Sequence, residues 1–246
     1  MKLLAAHAGK KSRTIDIDKL LSEIRACRIC RDRPAGKRLA HEPRPVLRVS
    51  STATICIASQ APGTRVHASG VPFTDPSGDR LRGWMGVEPS VFYDAQRIAI
   101  VPIGFCFPGL DAKGGDLPPR RECAPEWRQK LFAAMPAIEL LLAVGAHAHR
   151  WHLGSLARPT LTETVFNWRE VMSSTSRAPG PLVIPLPHPS WRNNVWLKRN
   201  LWFEAELLPA LRSEISRRLH MIYTPSHEES ELYGLTRGSG AIQLCA

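Results

Sequence analysis

The sequence has no long apolar segment. None of its 246 residues lies in a window that approaches the roughly 20 consecutive apolar residues of a membrane-spanning helix, so we expect no membrane association. Residues 1–13 are basic and lack the apolar core and cleavage site of a secretory signal. Internal repeats are also missing. We therefore expect a cytoplasmic protein with one main domain, since 43% hydrophobic residues suffice for one core.

Acidic residues are scarce relative to basic ones. The chain has 22 Asp and Glu residues against 33 Lys and Arg residues, which gives a formal net charge of +11. A field of this sign attracts polyanions, and nucleic acid is the first candidate because Arg suits bidentate contact with phosphate. A basic protein without a nucleic-acid partner is the alternative, so charge alone does not define a function.

Four short apolar runs predict the strands of an α/β protein. Runs without polar alternation are typical of parallel strands that are buried on both faces. Segments with helical spacing separate the runs, so we expect a mostly parallel four-stranded sheet covered by helices on both faces. The predicted strands cover residues 54–58, 97–101, 139–144 and 181–185.

The same patterns divide the chain into parts. We predict a loop over 64–78, one helix over 160–168 and an N-terminal helix capped by Thr14. The predicted parts are a flexible basic arm (1–13), an α/β domain (14–219) and a C-terminal tail (220–246).

A histidine between two prolines follows the last predicted strand. His188 is followed within five residues by Ser190, Arg192 and Asn193, three residue types that can contact an anion or a base edge. Asn193 or Asn194 can cap the next helix. Ligands bind in α/β sheets beyond the carboxyl ends of the strands, which makes this loop a candidate site. A proline-rich turn with a hydrogen-bonded histidine is the alternative.

Four of the six cysteines form a two-plus-two set. Cys56 lies within a predicted strand, where a thiol behaves as a small apolar group, and Cys245 is almost at the terminus. Two pairs of thiols in a cytosolic chain favour a tetrathiolate metal site over disulfides. Zinc and a four-iron cluster (4Fe–4S) both accept four thiolates. The set comprises Cys27, Cys30, Cys106 and Cys123.

The motifs occur in a specific order. After the Cys-x2-Cys pair come Ser59-Gln60-Ala61-Pro62-Gly63, then Pro72-Phe73-Thr74-Asp75-Pro76-Ser77-Gly78, the second cysteine pair and His188-Pro189-Ser190. This order resembles the uracil-DNA glycosylase superfamily, nearest its iron–sulfur branches, families 4 and 5, over about residues 20–219. The resemblance implies a three-layer α/β/α fold, a 4Fe–4S cluster with zinc as the alternative, and base-excision repair of DNA that contains a deaminated base.

The resemblance also assigns roles to residues. Phe73 matches the aromatic residue that stacks on uracil, although ordinary core packing is its alternative role. His188 matches the histidine that donates toward the base carbonyl oxygen. Gln60, Ala61, Pro62 and Gly63 would line the base pocket, whereas Ser190, Arg192 and Asn193 would hold the DNA phosphates.

Three departures from the superfamily pattern concern the chemistry. Ala61 stands where the most active branch carries a water-activating Asp, and Pro102 stands at or near the usual base-reading Asn. Val66-His67 replaces the acidic pair of family 4, which leaves His67 as a base-contacting candidate. The candidates for orienting water are Asp75, Asp79 and His67. We prefer Asp75, for which a turn or cap residue is the alternative.

The predicted activity is that of a monofunctional glycosylase. No lysine lies in the matched motifs, so we expect no Schiff-base lyase step. One alternative is a catalytically weak DNA-binding or lesion-sensing protein on the same scaffold. Another is a zinc-stabilised nucleic-acid module.

Overall fold

The computed structural model describes residues 15–221. The predicted basic arm, Thr14, residues 222–246 of the predicted tail and Cys245 lie outside the described residues. The first helix begins at Ile17, and its N-cap is Asp16, whose Oδ1 accepts hydrogen bonds from the N–H groups of Asp18 and Lys19.

The centre of the fold is a parallel sheet of four strands in the order β2-β1-β3-β4. Every pairing is parallel, which confirms the predicted α/β class. The predicted strand ends differ from the observed ones by only one residue. The strands are β1 (Ile55–Ala58), β2 (Ile98–Ile100), β3 (Leu140–Val144) and β4 (Leu182–Leu186).

The two faces of the sheet carry side chains of different size. Residues of odd and even position alternate between the faces, as the period of a strand requires. Ile55, Ile57 and Leu142 belong to one core cluster, whereas the smaller Cys56 and Ala143 belong to the other. Helices cover both clusters, which confirms the three-layer α/β/α architecture.

The helices that cover the sheet lie on both sides of it. Helices α4, α5, α8 and α11 contribute to the core with the larger side chains, and α1, α6 and α7 contribute to the other. The helices are α1 (Ile17–Arg25), α2 (Ile29–Asp32), α3 (Thr64–Ser69), α4 (Pro76–Met85), α5 (Pro89–Phe92), α6 (Cys123–Ala134), α7 (Ala146–His152), α8 (Leu161–Phe166), α9 (Trp168–Ser176), α10 (Asn194–Arg199) and α11 (Leu208–Leu219).

Two predicted segments differ from the structure. The predicted loop over 64–78 contains α3, and the predicted helix over 160–168 is two helices that meet at Asn167. Asn167 leaves the helical conformation and its amide donates to Glu163 O at 2.8 Å. None of the described helices is long and apolar enough to cross a membrane.

Strand β4 contains Pro185, which we predicted to end the strand. Pro185 pairs with Ala143 inside the ladder. The N–H of Leu182 points to β3, whereas the N–H of Val183 points away and donates to Thr175 Oγ1 at 3.1 Å. Pro185 is two residues after Val183, so the position at which it lacks an N–H also faces away from β3. This is the open edge of the sheet, where proline is tolerated.

The opposite edge of the sheet is covered. Arg48 forms an isolated antiparallel bridge with Ile100 of β2. The two residues exchange both backbone hydrogen bonds, at 3.0 and 2.7 Å. The short strand β2 is therefore capped on its outer side by the segment that precedes β1.

Candidate active site at the carboxyl ends of the strands

A cavity of about 90 Å³ lies beyond the carboxyl ends of the strands. Strand β2 lies on one side of β1 and strand β3 lies on the other, so the direction in which strands are added reverses at β1. A crevice forms at such a reversal. The cavity brings together seven of the eight residues that were predicted to act in catalysis or in base binding. Those that line it are Gln60, Ala61, Pro62, Gly63, Phe73, Asp75 and His188.

His188 is held at the end of β4. Its backbone carbonyl accepts a hydrogen bond of 2.7 Å from Asn193 Nδ2. A Cβ placed on Gly145, which ends β3 with φ +84°, would lie 3.6 Å from His188 Cβ. Burial lowers the pKa of His188 to about 4, although the negative charge of Asp75 opposes this shift. The ring is therefore neutral near pH 7 and offers one N–H as a hydrogen-bond donor.

The turn after β1 is fixed to the loop after β2. Ser59 O accepts a hydrogen bond from the N–H of Ile103 at 2.8 Å, and Gln60 O accepts one from the N–H of Gly104 at 2.9 Å. The Gln60 side chain also lies over Gly145, because a Cβ there would be 3.7 Å from Gln60 Cγ. The turn thus presents Gln60 to the cavity from a rigid backbone.

Phe73 is buried and has an unusual backbone. Its φ of +57° lies in the left-handed region, which costs a residue of this size about 1–3 kcal/mol. The carbonyl of Phe73 accepts a hydrogen bond of 2.9 Å from Tyr93 Oη. The same carbonyl lies so close to Gly78 that a Cβ there would be 1.9 Å away. The ring meets Phe92 edge to face at 5.9 Å between centroids, so its position is fixed.

Asp75 caps the helix that follows Phe73. Its Oδ1 accepts hydrogen bonds from the N–H groups of Ser77 at 3.0 Å and Gly78 at 3.3 Å, and also from the Ser77 hydroxyl. The alternative role of a helix cap is therefore confirmed for Asp75. The carboxylate lies in the wall of the cavity as well.

One comparison with known proteins identifies the family. The model of the family "Uracil DNA glycosylase superfamily" matches residues 48–212, about two thirds of the chain. The chain belongs to the uracil DNA glycosylase superfamily. Members of this superfamily are typically DNA glycosylases, hydrolases that act on DNA. The matched range contains the cavity residues together with Cys106 and Cys123, and it begins after Cys27 and Cys30.

His67 does not line this cavity. Its ring packs against His41 at 4.5 Å and Phe107 at 5.5 Å between centroids. Burial lowers the pKa of His67, and the neighbouring His41 lowers it further. The ring is thus held beside His41 and Phe107 and outside the cavity lining, and the base contact of His67 stays a prediction. Asp79 is exposed on α4 and forms an ion pair with Arg82.

The residues predicted to hold DNA lie in and directly before a 3₁₀ turn. Arg192 and Asn193 belong to this turn (Trp191–Asn193), and Ser190 precedes it. Ser190 Oγ caps the turn by accepting the N–H of Arg192 at 3.3 Å. Asn193 does not cap α10 with its side chain, because its amide is bonded to His188. Arg192 remains exposed, and its guanidinium lies 5.8 Å from the ring centre of Trp191.

Two residues of the site were missed from the sequence. Trp191 is 71% exposed beside the His188 loop, an unusual state for a large aromatic side chain. Asp116 lines the cavity from the loop between β2 and α6. Burial raises the pKa of Asp116, Arg192 lowers it, and the charge of Asp75 raises it again. A Gly-Gly-Asp turn marks Asp116 in the sequence, but only the fold brings this loop to the first motif.

The four cysteines of the predicted set line a second cavity. They come from the end of α1, from α2, from the loop after β2 and from the start of α6. Cys123 Sγ accepts a hydrogen bond of 3.4 Å from the N–H of Phe105. The backbone of Arg44 beside Cys106 and the Arg120 side chain beside Cys30 each lower the pKa of the neighbouring thiol. Hydrogen bonds to sulfur are typical of metal-bound thiolates.

Three of the four thiols are buried, and Cys27 is partly exposed. Burial raises the pKa of Cys106 to about 12 and also raises the pKa of Cys30 and Cys123. A bound metal ion or cluster would deprotonate these thiols. Among the described residues, no group of three or more His, Cys, Asp or Glu side chains is arranged to hold a metal ion.

Proposed function

We propose that this superfamily member is a monofunctional DNA glycosylase that hydrolyses the N-glycosidic bond of uracil or another deaminated base. One observation carries the proposal. The aromatic ring of Phe73, the neutral imidazole of His188 and the turn at Gln60 meet in a single cavity at the reversal point of the sheet. Superfamily membership supports the same class of reaction.

The cavity suits a base that has left the double helix. An enzyme that cleaves a glycosidic bond must take the base out of the stack and hold it in a pocket. The Phe73 ring, fixed by its contact with Phe92, would stack on the base. Gln60 offers an amide that can donate to and accept from the edge of the base.

His188 would stabilise the departing base. Negative charge develops on the base as the bond to C1′ breaks, and a neutral imidazole N–H can donate toward the carbonyl oxygen that bears this charge. The lowered pKa of His188 keeps the ring neutral near pH 7. The imidazole therefore acts as a hydrogen-bond donor and not as a proton source. In the part of the chain that the structure describes, no lysine lines the cavity, which supports hydrolysis without a Schiff base.

The surroundings of the cavity suit a DNA strand. A groove of about 660 Å³ shares Pro108 and Leu117 with the cavity. Its wall includes Lys37, Arg121 and Arg150, whose side chains are exposed. Such cations bind phosphates and release counterions.

The loop after His188 would hold the DNA beside the damaged base. Arg192, with Ser190, would contact the phosphates there, and the exposed ring of Trp191 could stack where the base has left. The amide of Asn193 is bonded to His188 O, so Asn193 would act by holding the loop.

We also propose that Cys27, Cys30, Cys106 and Cys123 hold a 4Fe–4S cluster. The four thiols surround one cavity, and the N–H of Phe105 already donates to Cys123 Sγ. Zinc, which also accepts four thiolates, is the alternative. When bound, the cluster would cross-link the N-terminal helices to the loop after β2 and the start of α6.

A DNA-binding or lesion-sensing protein with weak catalysis is the second candidate. Ala61 supplies no carboxylate, and Oδ1 of Asp75 is occupied as a helix cap. Substrate panels separate the two candidates. The protein is incubated with oligonucleotides that contain one uracil, hypoxanthine or xanthine, and abasic sites are then cleaved with alkali. Cleavage at one of these bases supports the glycosylase, and binding without any cleavage supports the lesion sensor.

A further inference from the structure

Asp116 lies on a loop that folds back toward the first motif. An antiparallel bridge between Leu110 and Asp116 closes this loop. Asp111 Oδ1 stabilises the turn by accepting two backbone N–H groups, one of them from Gly115, at 2.8 Å each. The N–H of Leu117 donates to Gly109 O at 2.9 Å. The backbone on both sides of Asp116 is therefore fixed.

The carboxylate of Asp116 approaches the backbone of the first motif. A Cβ placed on Gly63 would lie 3.3 Å from Asp116 Oδ2, so a larger residue at position 63 would crowd this oxygen. The side chain lines the same cavity as Phe73 and His188. Within the described residues, its oxygens accept no hydrogen bond.

The two carboxylates in the cavity wall have different environments. Asp75 is occupied by three hydrogen bonds to one of its oxygens, which fix it at the start of α4. Asp116 is free of such bonds and is exposed at the mouth of the cavity, and the part of its carboxylate that is buried raises its pKa. A carboxylate oxygen that accepts no other hydrogen bond is available to a water molecule. Both oxygens of Asp116 are available in this way, whereas Oδ1 of Asp75 is occupied.

We propose that Asp116 is the general base that activates the hydrolytic water. The proposal rests on the proposed function and adds a catalytic residue to it. The turn Ser59–Gly63 has no carboxylate of its own, and Asp116 brings one beside Gly63 from a different part of the chain. Asp75 is then a positioning residue that fixes Phe73 and the start of α4.

The step balances as a hydrolysis. The water oxygen forms a bond to C1′ while the bond between C1′ and the base nitrogen breaks, and the electron pair of that bond leaves with the base. One water proton passes to the Asp116 carboxylate. His188 donates a hydrogen bond to the base anion, which then takes a proton from solvent, and Asp116 returns its proton to solvent.

The test compares single-turnover excision by the full-length wild type, Asp116→Asn and Glu204→Gln. The substrate is whichever uracil, hypoxanthine or xanthine oligonucleotide the wild type cleaves. Loss of a general base lowers rates by about 10²–10⁴-fold, so we expect a fall of at least about 100-fold for Asp116→Asn without weaker DNA binding. Glu204 is an exposed carboxylate, and its variant controls for the change in charge.

Two further measurements separate a base from a structural residue. Only the ionised carboxylate accepts a proton, so the wild-type rate should rise with pH through the pKa of Asp116, and Asp116→Asn should lose this rise. Added formate should restore part of the rate of Asp116→Ala by supplying a carboxylate in the vacated space.

The outcomes are distinguishable. If the wild type cleaves none of the three bases, the proposed function fails. If it cleaves one and Asp116→Asn retains the rate or the acid limb of the pH profile, only the role of Asp116 is refuted. A loss that differs strongly among the three bases would instead assign Asp116 to base recognition and overturn the proposal.

Discussion

The close approach of Gly78 to Phe73 allows a sharp test of the site. In the variant Gly78→Ala, the new Cβ would lie 1.9 Å from Phe73 O, whereas ordinary contacts begin at 3.4 Å. The carbonyl must therefore move, and the hydrogen bond from Tyr93 and the cap by Asp75 are disturbed. These are worth about 1 kcal/mol each, and disturbed burial of Phe73 costs about another 1 kcal/mol. Relief of backbone strain returns about 1 kcal/mol.

We expect the free energy of unfolding of Gly78→Ala to fall by about 2 kcal/mol, which urea titration measures. Single-turnover excision should fall by about 100-fold, since a misplacement of about 1 Å can cost this much. Gly83→Ala is the matched control in the same helix, because a Cβ there meets nothing within 4 Å. It should raise stability by about 0.5–1 kcal/mol and leave excision unchanged. If Gly78→Ala is as stable and as active as the wild type, the tight fit assigned to Phe73 is wrong.

Three other predictions concern the remaining parts of the site. His188→Ala should lower single-turnover excision by about 10²–10³-fold while DNA affinity, measured by fluorescence anisotropy, stays the same; an unchanged rate in a folded variant would remove the role of His188. Arg192→Ala should weaken binding to damaged and undamaged oligonucleotides alike and reduce the salt slope by about one unit; an effect limited to one base would contradict a phosphate contact. Cys27→Ser should lose iron, brown colour and solubility together, whereas Cys245→Ser should lose none of them; stoichiometric zinc in a colourless wild type would refute the cluster.

The fold was predictable because the buried strands are short continuous apolar runs. Each predicted strand overlaps an observed one, and the runs alternate with helical segments. Pro185 was misjudged because its tolerance depends on the edge position of β4 and on the direction of its missing N–H. Helix α3 was missed because six residues between a glycine cap and Gly70 give too short a pattern to detect.

The site was predictable where one short stretch carries several of its residues. Phe73 and Gln60 lie in recognisable motifs, and the structure places both in the cavity with His188. The position of His67 outside the cavity lining could not be predicted from the sequence, because it depends on how α3 packs. Asp116 was missed because its approach to Gly63 is a tertiary contact between distant parts of the chain, which the local Gly-Gly-Asp pattern does not reveal.

The two edges of the sheet determine whether molecules at high concentration can pair strand to strand. An open strand edge is a template for pairing with another molecule, and such pairing leads to aggregation. On β4 the outward N–H of Val183 is already bonded to Thr175, and Pro185 has no N–H to offer. On β2 the bridge with Arg48 occupies Ile100. Within the described residues, neither edge of the sheet therefore offers a row of free N–H groups with which the sheet of a second molecule could pair.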